Sequence, residues 1–156
     1  ALPAVMVWCG GIVGLILWAT TRTGDGRAVP GWLAPAATAA TLGVLFLLHL
    51  ALIAHGLGWP VSVPAVANVG AGLLFIGVGR MMPHIPPNPA FGVRTPRTLS
   101  DPAAWERANR AGGRGFVIAG VLTVLAAPLP GGWPLGIMMI SLLGACVVAV
   151  RAARAA

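Results

Sequence analysis

Five long apolar runs dominate this sequence and constrain its fold more than any other feature. They cover roughly residues 3–20, 33–55, 63–79, 115–129 and 133–150. An apolar helix of about 20 residues crosses the hydrocarbon core of a bilayer. Only 8% of the residues are charged, whereas a soluble domain carries about 25%. The sequence therefore predicts an all-α integral membrane protein, a polytopic bundle of about five transmembrane helices forming a single domain over 1–156.

The distribution of the arginines predicts topology rather than nucleic-acid binding. A net charge of +7 can indicate a nucleic-acid partner, but these arginines lie in segments between apolar runs, so we expect no direct contact with nucleic acid. Arginines occur in 21–32, in 80–114 and after residue 150, whereas the connections GLGWPVS and PLPGGWP are uncharged. The positive-inside rule then places the N-terminus outside and the C-terminus in the cytoplasm.

The membrane is expected to be a bacterial plasma membrane. The chain lacks lysine and is rich in Ala, Gly, Pro and Arg, which is typical of a GC-rich bacterial genome. The first apolar run lacks a basic leading segment and a clear cleavage site, so we expect a span there rather than a removed signal peptide.

Glycine spacing suggests how the spans pack. Gly10 and Gly14 form a GxxxG pair, and Gly72 and Gly79 lie seven residues apart on one face of the third run. Small faces allow helices to approach closely in lipid, although glycine is also common throughout this chain. Either interpretation concerns architecture rather than chemistry.

Patterns typical of catalysis or metal binding are missing from the sequence. There is no His-x-x-x-His, no Gly-x-Ser-x-Gly and no intramembrane acid pair. Cys9 and Cys146 lie inside apolar runs, where small buried thiols are the ordinary case. His49 lies inside a span, where an ionisable residue is a default functional hypothesis, but a neutral histidine bonded to backbone is the commoner case. We expect no enzyme activity, no metal and no cofactor.

The segment 80–114 holds most of the charged residues, and we expect it to be a cytoplasmic loop that leads into a short amphipathic helix. Its first half is too rich in proline for a regular helix, and Gly92 permits a positive φ at a bend. Asp101 followed by proline predicts an N-cap and a helix over about 102–112. On that helix, Trp105 and Asn109 share one face with Gly112. The opposite face carries an arginine stripe formed by Arg107, Arg110 and Arg114.

This segment resembles the signature of the SdpI family, membrane proteins named for immunity to a sporulation-delaying toxin. The resemblance covers about 79–120, in the stretch NPAFGVRTPRTLSDPAAWERANRAGGRGFVIAG and the preceding GRMMPHIPPN. Longer family members have an additional N-terminal membrane region. The matching positions are Asn88, Gly92, Arg94, Thr95, Thr98, Leu99, Trp105, Asn109, Arg110 and Gly113.

The resemblance implies protection against a membrane-active peptide toxin, or recruitment of a cytoplasmic repressor to the loop. Two physical interpretations of the segment remain open: hydrogen bonds from Asn88 and Asn109 that close the bend, or recognition of a partner, anionic ligand or lipid headgroup by the arginines. The alternatives to an immunity protein are a small accessory subunit of a larger membrane complex and a binder of an anionic or lipid ligand. The candidate binding residues are Asn88, Gly92, Arg94, Thr95, Arg97, Thr98, Trp105, Asn109 and Arg110.

Overall fold

The predicted all-α fold is confirmed. The structure, a computed structural model, describes residues 31–88 and 91–154. They form five α-helices and a 3₁₀ turn over Met82–His84, without a strand in the described ranges. The helices are α1 (Leu33–Gly56), α2 (Val63–Met81), α3 (Pro96–Ser100), α4 (Pro102–Ala126) and α5 (Trp133–Arg154). The first apolar run, the Gly10 and Gly14 pair, Cys9 and the first arginine-bearing loop lie outside the described residues.

Three helices are long and apolar enough to cross a membrane, namely the segments Pro35–Gly56, Val63–His84 and Trp133–Arg154. They correspond to the second, third and fifth apolar runs. The fourth run forms the C-terminal half of α4, whose N-terminal half carries charged residues. The chain is therefore a membrane protein with an all-helical architecture.

The segment predicted as an amphipathic helix followed by a span is one continuous helix. Asp101 caps α4 as expected, since its carboxylate accepts from the Ala103 N–H at 2.9 Å and Pro102 begins the helix. The helix then continues through the Gly-rich stretch 112–115 to Ala126. Glycine costs about 1 kcal/mol in a helix interior relative to alanine, but here tight packing against both neighbours offsets that preference.

Helix α4 lies between α2 and α5, and its glycines set the packing distance to α2. A methyl group added at Gly79 would come within 2.5 Å of the Gly113 carbonyl oxygen, and one added at Gly120 would come equally close to the Gly72 carbonyl oxygen. The pairing is antiparallel, because Gly72 meets Gly120 while Gly79 meets Gly113. The predicted glycine face of α2 thus packs against a matching face of α4.

The other helix contacts also use small residues. A methyl group at Gly115 would come within 2.9 Å of Ala145 on α5, and one at Gly70 would come within 2.6 Å of Val44 on α1. Phe116 of α4 contacts the ring of Phe75 edge-on, with centroids 6.1 Å apart. Small faces bring the backbones together, and van der Waals contact then holds helices that gain little from the hydrophobic effect in lipid.

All described charged side chains lie toward one end of the bundle, which we call the loop end. This end contains the start of α1, the C-terminal ends of α2 and α5 and the N-terminal half of α4. At about 1.5 Å per residue, α4 is about 9 Å longer than α2, which has 19 residues against 25. The first turns of α4 therefore extend beyond the end of α2, where they support the connecting segment.

Candidate functional site

The segment 82–101, here called the signature loop, is fixed on α4 by two buried side chains. The Asn109 side-chain oxygen accepts from the Val93 N–H at 3.0 Å, and its amide donates to the Trp105 carbonyl oxygen at 3.0 Å. The Trp105 indole N–H donates to the Ile85 carbonyl oxygen at 2.9 Å. Both side chains are almost fully buried. Trp105 and Asn109 therefore hold two points of the loop, as the interpretation of a closed bend predicts.

Gly92 makes this close approach possible. Its φ is +104°, and a methyl group there would come within 2.5 Å of the Asn109 side-chain oxygen and 3.0 Å of the Trp105 ring. The positive φ predicted for this bend is confirmed. Glycine is thus required at position 92 for two reasons. Its positive φ is unfavourable for other residues, and Asn109 and Trp105 leave no room for a side chain.

Thr95 and Thr98 form a reciprocal cap on the single-turn helix α3. The Thr98 N–H donates to the Thr95 hydroxyl at 3.2 Å, and the Thr95 N–H donates to the Thr98 hydroxyl at 2.8 Å. The Thr98 hydroxyl donates to the Val93 carbonyl oxygen at 2.7 Å. Such caps satisfy N–H groups that a helix start leaves unpaired. This turn of helix was not expected in the first half of the segment, because its cap arises from two threonines rather than from the usual acidic partner.

Asn88 closes a local turn. Its side-chain oxygen accepts from the Phe91 N–H at 2.7 Å, and its amide donates to the Pro86 carbonyl oxygen at 2.8 Å. The side chain is 1% exposed. These two hydrogen bonds join Asn88 to the loop's own backbone, where Asn side chains commonly organise turns.

The arginines of the segment are exposed, in contrast to the buried Asn88, Thr98 and Asn109. Arg97 donates from Nη1 to the Arg154 carbonyl oxygen at the end of α5, at 3.1 Å. Arg110 pairs with Glu106 one turn away, and Arg107 lies 3.8 Å from Asp101. Arg94 is also exposed. Exposed pairs contribute little to stability, about 0–1 kcal/mol each, so these cations are more useful for contacting other molecules than for holding the fold.

Beneath the signature loop lies an apolar cavity of about 320 Å³. Phe91, Gly92 and Val93 line it from the loop, and its walls are formed by the start of α1, the C-terminal ends of α2 and α5, and Phe116 of α4. Leu33 and Ile85 are buried beside it against Met81 and Phe91. Ligand pockets are typically about 300–1,000 Å³ and mostly apolar, so this cavity has the size and lining of a binding site.

The predicted residues thus separate into two groups by their position. Asn88, Thr98, Trp105 and Asn109 are buried, and their polar atoms bond to protein. The exposed group carries the charges, namely Arg94, Arg97 and Arg110. The buried group shapes the loop, and the exposed group is the part of the site that another molecule can reach.

Sequence reasoning missed one buried polar contact within the bundle. Asn68 on α2 donates to the Thr123 carbonyl oxygen on α4 at 2.6 Å, and the Thr123 hydroxyl donates to the Ala119 carbonyl oxygen at 2.8 Å. A lone asparagine in an apolar run is a usable signal, because amides commonly bond between helices in membranes. His49, which the sequence singled out, has a buried Nδ1 atom without a hydrogen-bond partner among the described residues.

Comparison with known proteins finds a family match that covers most of the signature loop, all of α4 and most of α5. The sequence model of the SdpI/YfhL protein family matches residues 84–152. The immunity protein SdpI of Bacillus subtilis (strain 168) is 28% identical over 109 residues, which cover 70% of this chain and 53% of that relative. The chain thus spans about half the length of this relative, and no solved structure matches it. The resemblance predicted from the sequence is confirmed, because residues 84–152 match the sequence model of the SdpI/YfhL protein family.

Proposed function

We propose that this chain is a membrane immunity protein that protects a bacterial cell against a membrane-active peptide. The similarity to the immunity protein SdpI carries this proposal, because it covers 70% of the chain and includes the signature loop. The proposed activity is protection by binding, without a catalysed reaction. The proposed arrangement has several spans, with the N-terminus outside and the loop end in the cytoplasm.

The geometry of the loop supports a binding role. Four buried polar side chains hold it in one conformation, so its exposed arginines project from a fixed base. A preorganised surface loses less conformational entropy on binding than a mobile loop does. An amphipathic peptide presents both apolar and polar groups, and the loop end offers an apolar cavity beside cationic side chains.

Recruitment of a cytoplasmic repressor is a second part of the proposal. The outer face of α4 carries Arg107, Arg110 and Arg114, all exposed; the first two lie against Asp101 and Glu106, and the face keeps a net positive charge. Such a cationic face is suited to an acidic surface on a soluble partner, since complementary charge increases association rates and selects partners. This contact would place the repressor beside the signature loop.

A sensitivity assay tests the immunity proposal. A susceptible bacterium expressing the chain would be challenged with a panel of membrane-permeabilising peptides, beside Arg94→Ala, Asn109→Ala and Arg114→Ala variants at matched membrane abundance. We expect the intact chain to raise the inhibitory concentration of at least one peptide. Arg94→Ala and Asn109→Ala should reduce that protection, whereas Arg114→Ala, farther from the loop, should retain it.

Two other outcomes would redirect the proposal. If protection is unchanged in the Arg94→Ala and Asn109→Ala variants, the spans rather than the loop recognise the peptide. Absence of protection against every peptide would contradict immunity and favour an accessory subunit, for which co-purification of a stoichiometric membrane partner is the test.

A further inference from the structure

The cavity beneath the signature loop lies at the depth of the membrane interface. Val78 and Met81 line it near the end of α2, and Ala149 and Val150 line it near the end of α5. Both helices end at the loop end, where all described charges lie. A cavity between apolar helix ends and a charged loop is at the level where the upper part of a lipid acyl chain meets its headgroup.

Two cations are positioned above this cavity. Arg154 lies four residues after Val150, hence on the same face of α5, and its carbonyl oxygen accepts from Arg97. Arg97 belongs to α3, which is bonded through Thr98 to Val93 in the cavity wall. The Arg97 guanidinium thus lies against the end of α5, and the helical register of α5 puts Arg154 on the face that lines the cavity.

Within the part of the chain that the structure describes, neither Arg97 nor Arg154 forms an ion pair with a carboxylate. The acids within 31–88 and 91–154 are Asp101 and Glu106, and these lie against Arg107 and Arg110 respectively. A guanidinium has five N–H donors, and Arg97 uses one of them for the Arg154 carbonyl oxygen. The remaining donors suit a phosphate, which accepts paired bonds from arginine.

We propose that the cavity holds one acyl chain of an anionic phospholipid, with its phosphate bound by Arg97 and Arg154. The apolar lining selects a hydrocarbon chain over a polar ligand, and the cations select an anionic headgroup over a zwitterionic one. The bound lipid would fill the space between the helix ends and the loop, and would thereby stabilise the loop conformation. The cavity is the one described above as a proposed contact for a peptide, so the experiments below distinguish a lipid occupant from a peptide occupant.

Lipid retention measures the proposal directly. The full chain would be purified in mild detergent, exchanged into mixed phosphatidylcholine and phosphatidylglycerol vesicles, re-extracted, and examined by native mass spectrometry. We expect one retained phosphatidylglycerol per chain. Cys146 is exposed and lines the cavity, so Cys146→Phe should reduce retention about tenfold, equivalent to ~1.4 kcal/mol. Val147 is also exposed but does not line the cavity, so Val147→Phe should not reduce retention.

The headgroup contact has its own variant. Arg154→Gln removes a cation but keeps the backbone carbonyl that accepts from Arg97. We expect this change to lower the preference for phosphatidylglycerol over phosphatidylcholine about fivefold, because one arginine near a membrane surface contributes about 1 kcal/mol. Arg114→Gln removes the same charge farther along α4 and should leave the preference unchanged.

Three results would overturn the proposal. Equal retention by the intact chain, Cys146→Phe and Val147→Phe would identify the lipid as nonspecifically attached. Equal retention of phosphatidylcholine and phosphatidylglycerol by the intact chain would overturn the headgroup contact. Unchanged lipid retention in Cys146→Phe, together with loss of peptide protection in the assay above, would assign the cavity to a peptide instead.

Discussion

The largest side chains that are fully buried among the described residues are all polar: Asn88, Asn109, Thr98 and Thr123. Large apolar side chains such as Phe46, Ile140 and Leu143 are instead exposed. In lipid an exposed leucine loses nothing, because the acyl chains are as apolar as a protein interior. Polar groups and backbone amides must find partners inside the protein, so the interior is occupied by small residues and by polar groups that bond to backbone.

Replacement of Asn109 by alanine should destabilise the fold, because it leaves the Val93 N–H without its acceptor. An unsatisfied buried donor costs about 1–3 kcal/mol, and we expect a loss of that size in the free energy of unfolding, measured by denaturant titration in micelles. The neighbouring Arg110→Ala removes an exposed ion pair and should cost at most about 1 kcal/mol. Equal losses for the two variants would contradict the role given to Asn109.

Replacement of Gly92 by alanine should open the signature loop. The added methyl group meets Asn109 and Trp105, and the φ of +104° is unfavourable for any L side chain. Trypsin cleavage after Arg94 and Arg97 reports on opening, and we expect it to be roughly tenfold faster, as a loss of ~1.4 kcal/mol implies. Gly58→Ala is the control, since Gly58 also has a positive φ, +84°, but nothing within 4 Å of an added methyl group.

At the scale of elements, α4 organises the bundle because small residues occur on both of its packed faces. One face contacts α2 through Gly113 and Gly120, and another contacts α5 through Gly115. The helix is long enough for its first turns to support the loop while its later turns pack among the spans. The same continuous helix therefore supports the signature loop at its start and packs within the bundle along its later turns.

Alanine at Gly79 or Gly120 should weaken the contact between α2 and α4, since each added methyl group meets backbone atoms within 2.5–2.8 Å. Overpacking of this kind costs about 1–3 kcal/mol, measurable as a lower free energy of unfolding in micelles. Gly144→Ala on α5 is the matched control, because an added methyl group there meets nothing within 4 Å. That control should be neutral or stabilising, as alanine favours a helix by about 1 kcal/mol over glycine.

At the scale of the whole molecule, the described charges collect at the loop end and leave the other end uncharged. The connections 57–62 and 127–132 at that opposite end contain no charged residue. Anionic lipid and the positive-inside bias both favour the arginine-rich end on the cytoplasmic side. The candidate site and the apolar cavity both lie at this loop end. The contacts proposed for a peptide, a repressor and a lipid are therefore at the same end of the bundle.

Single cysteines can test this orientation after Cys9 and Cys146 are replaced by serine. A membrane-impermeant maleimide applied to intact cells should label Gly132→Cys, at the uncharged end, and should spare Ser100→Cys until the cells are permeabilised. Both positions are exposed, so a difference between them reports the side of the membrane. Labelling of Ser100→Cys alone in intact cells would reverse the proposed topology.

The local features of this protein can be predicted from the order of its residues. Apolar run length predicted three of the described long helices within a few residues, Asp101 and Pro102 predicted the start of α4, and Gly92 predicted the bend. The shared face of Trp105 and Asn109 followed from helical spacing. These features depend on neighbours within one or two turns, so their physical causes are present in the order of the residues.

Which of these features contact one another depends on how the helices pack. The bond from Asn109 to Val93 joins residues 16 positions apart, and the bond from Asn68 to Thr123 joins residues 55 positions apart. Helical spacing predicts that a side chain faces the protein, but the identity of its partner depends on how closely the small faces allow the helices to approach. The cavity under the loop has the same origin, because its walls come from four helices and one bend that only packing brings together.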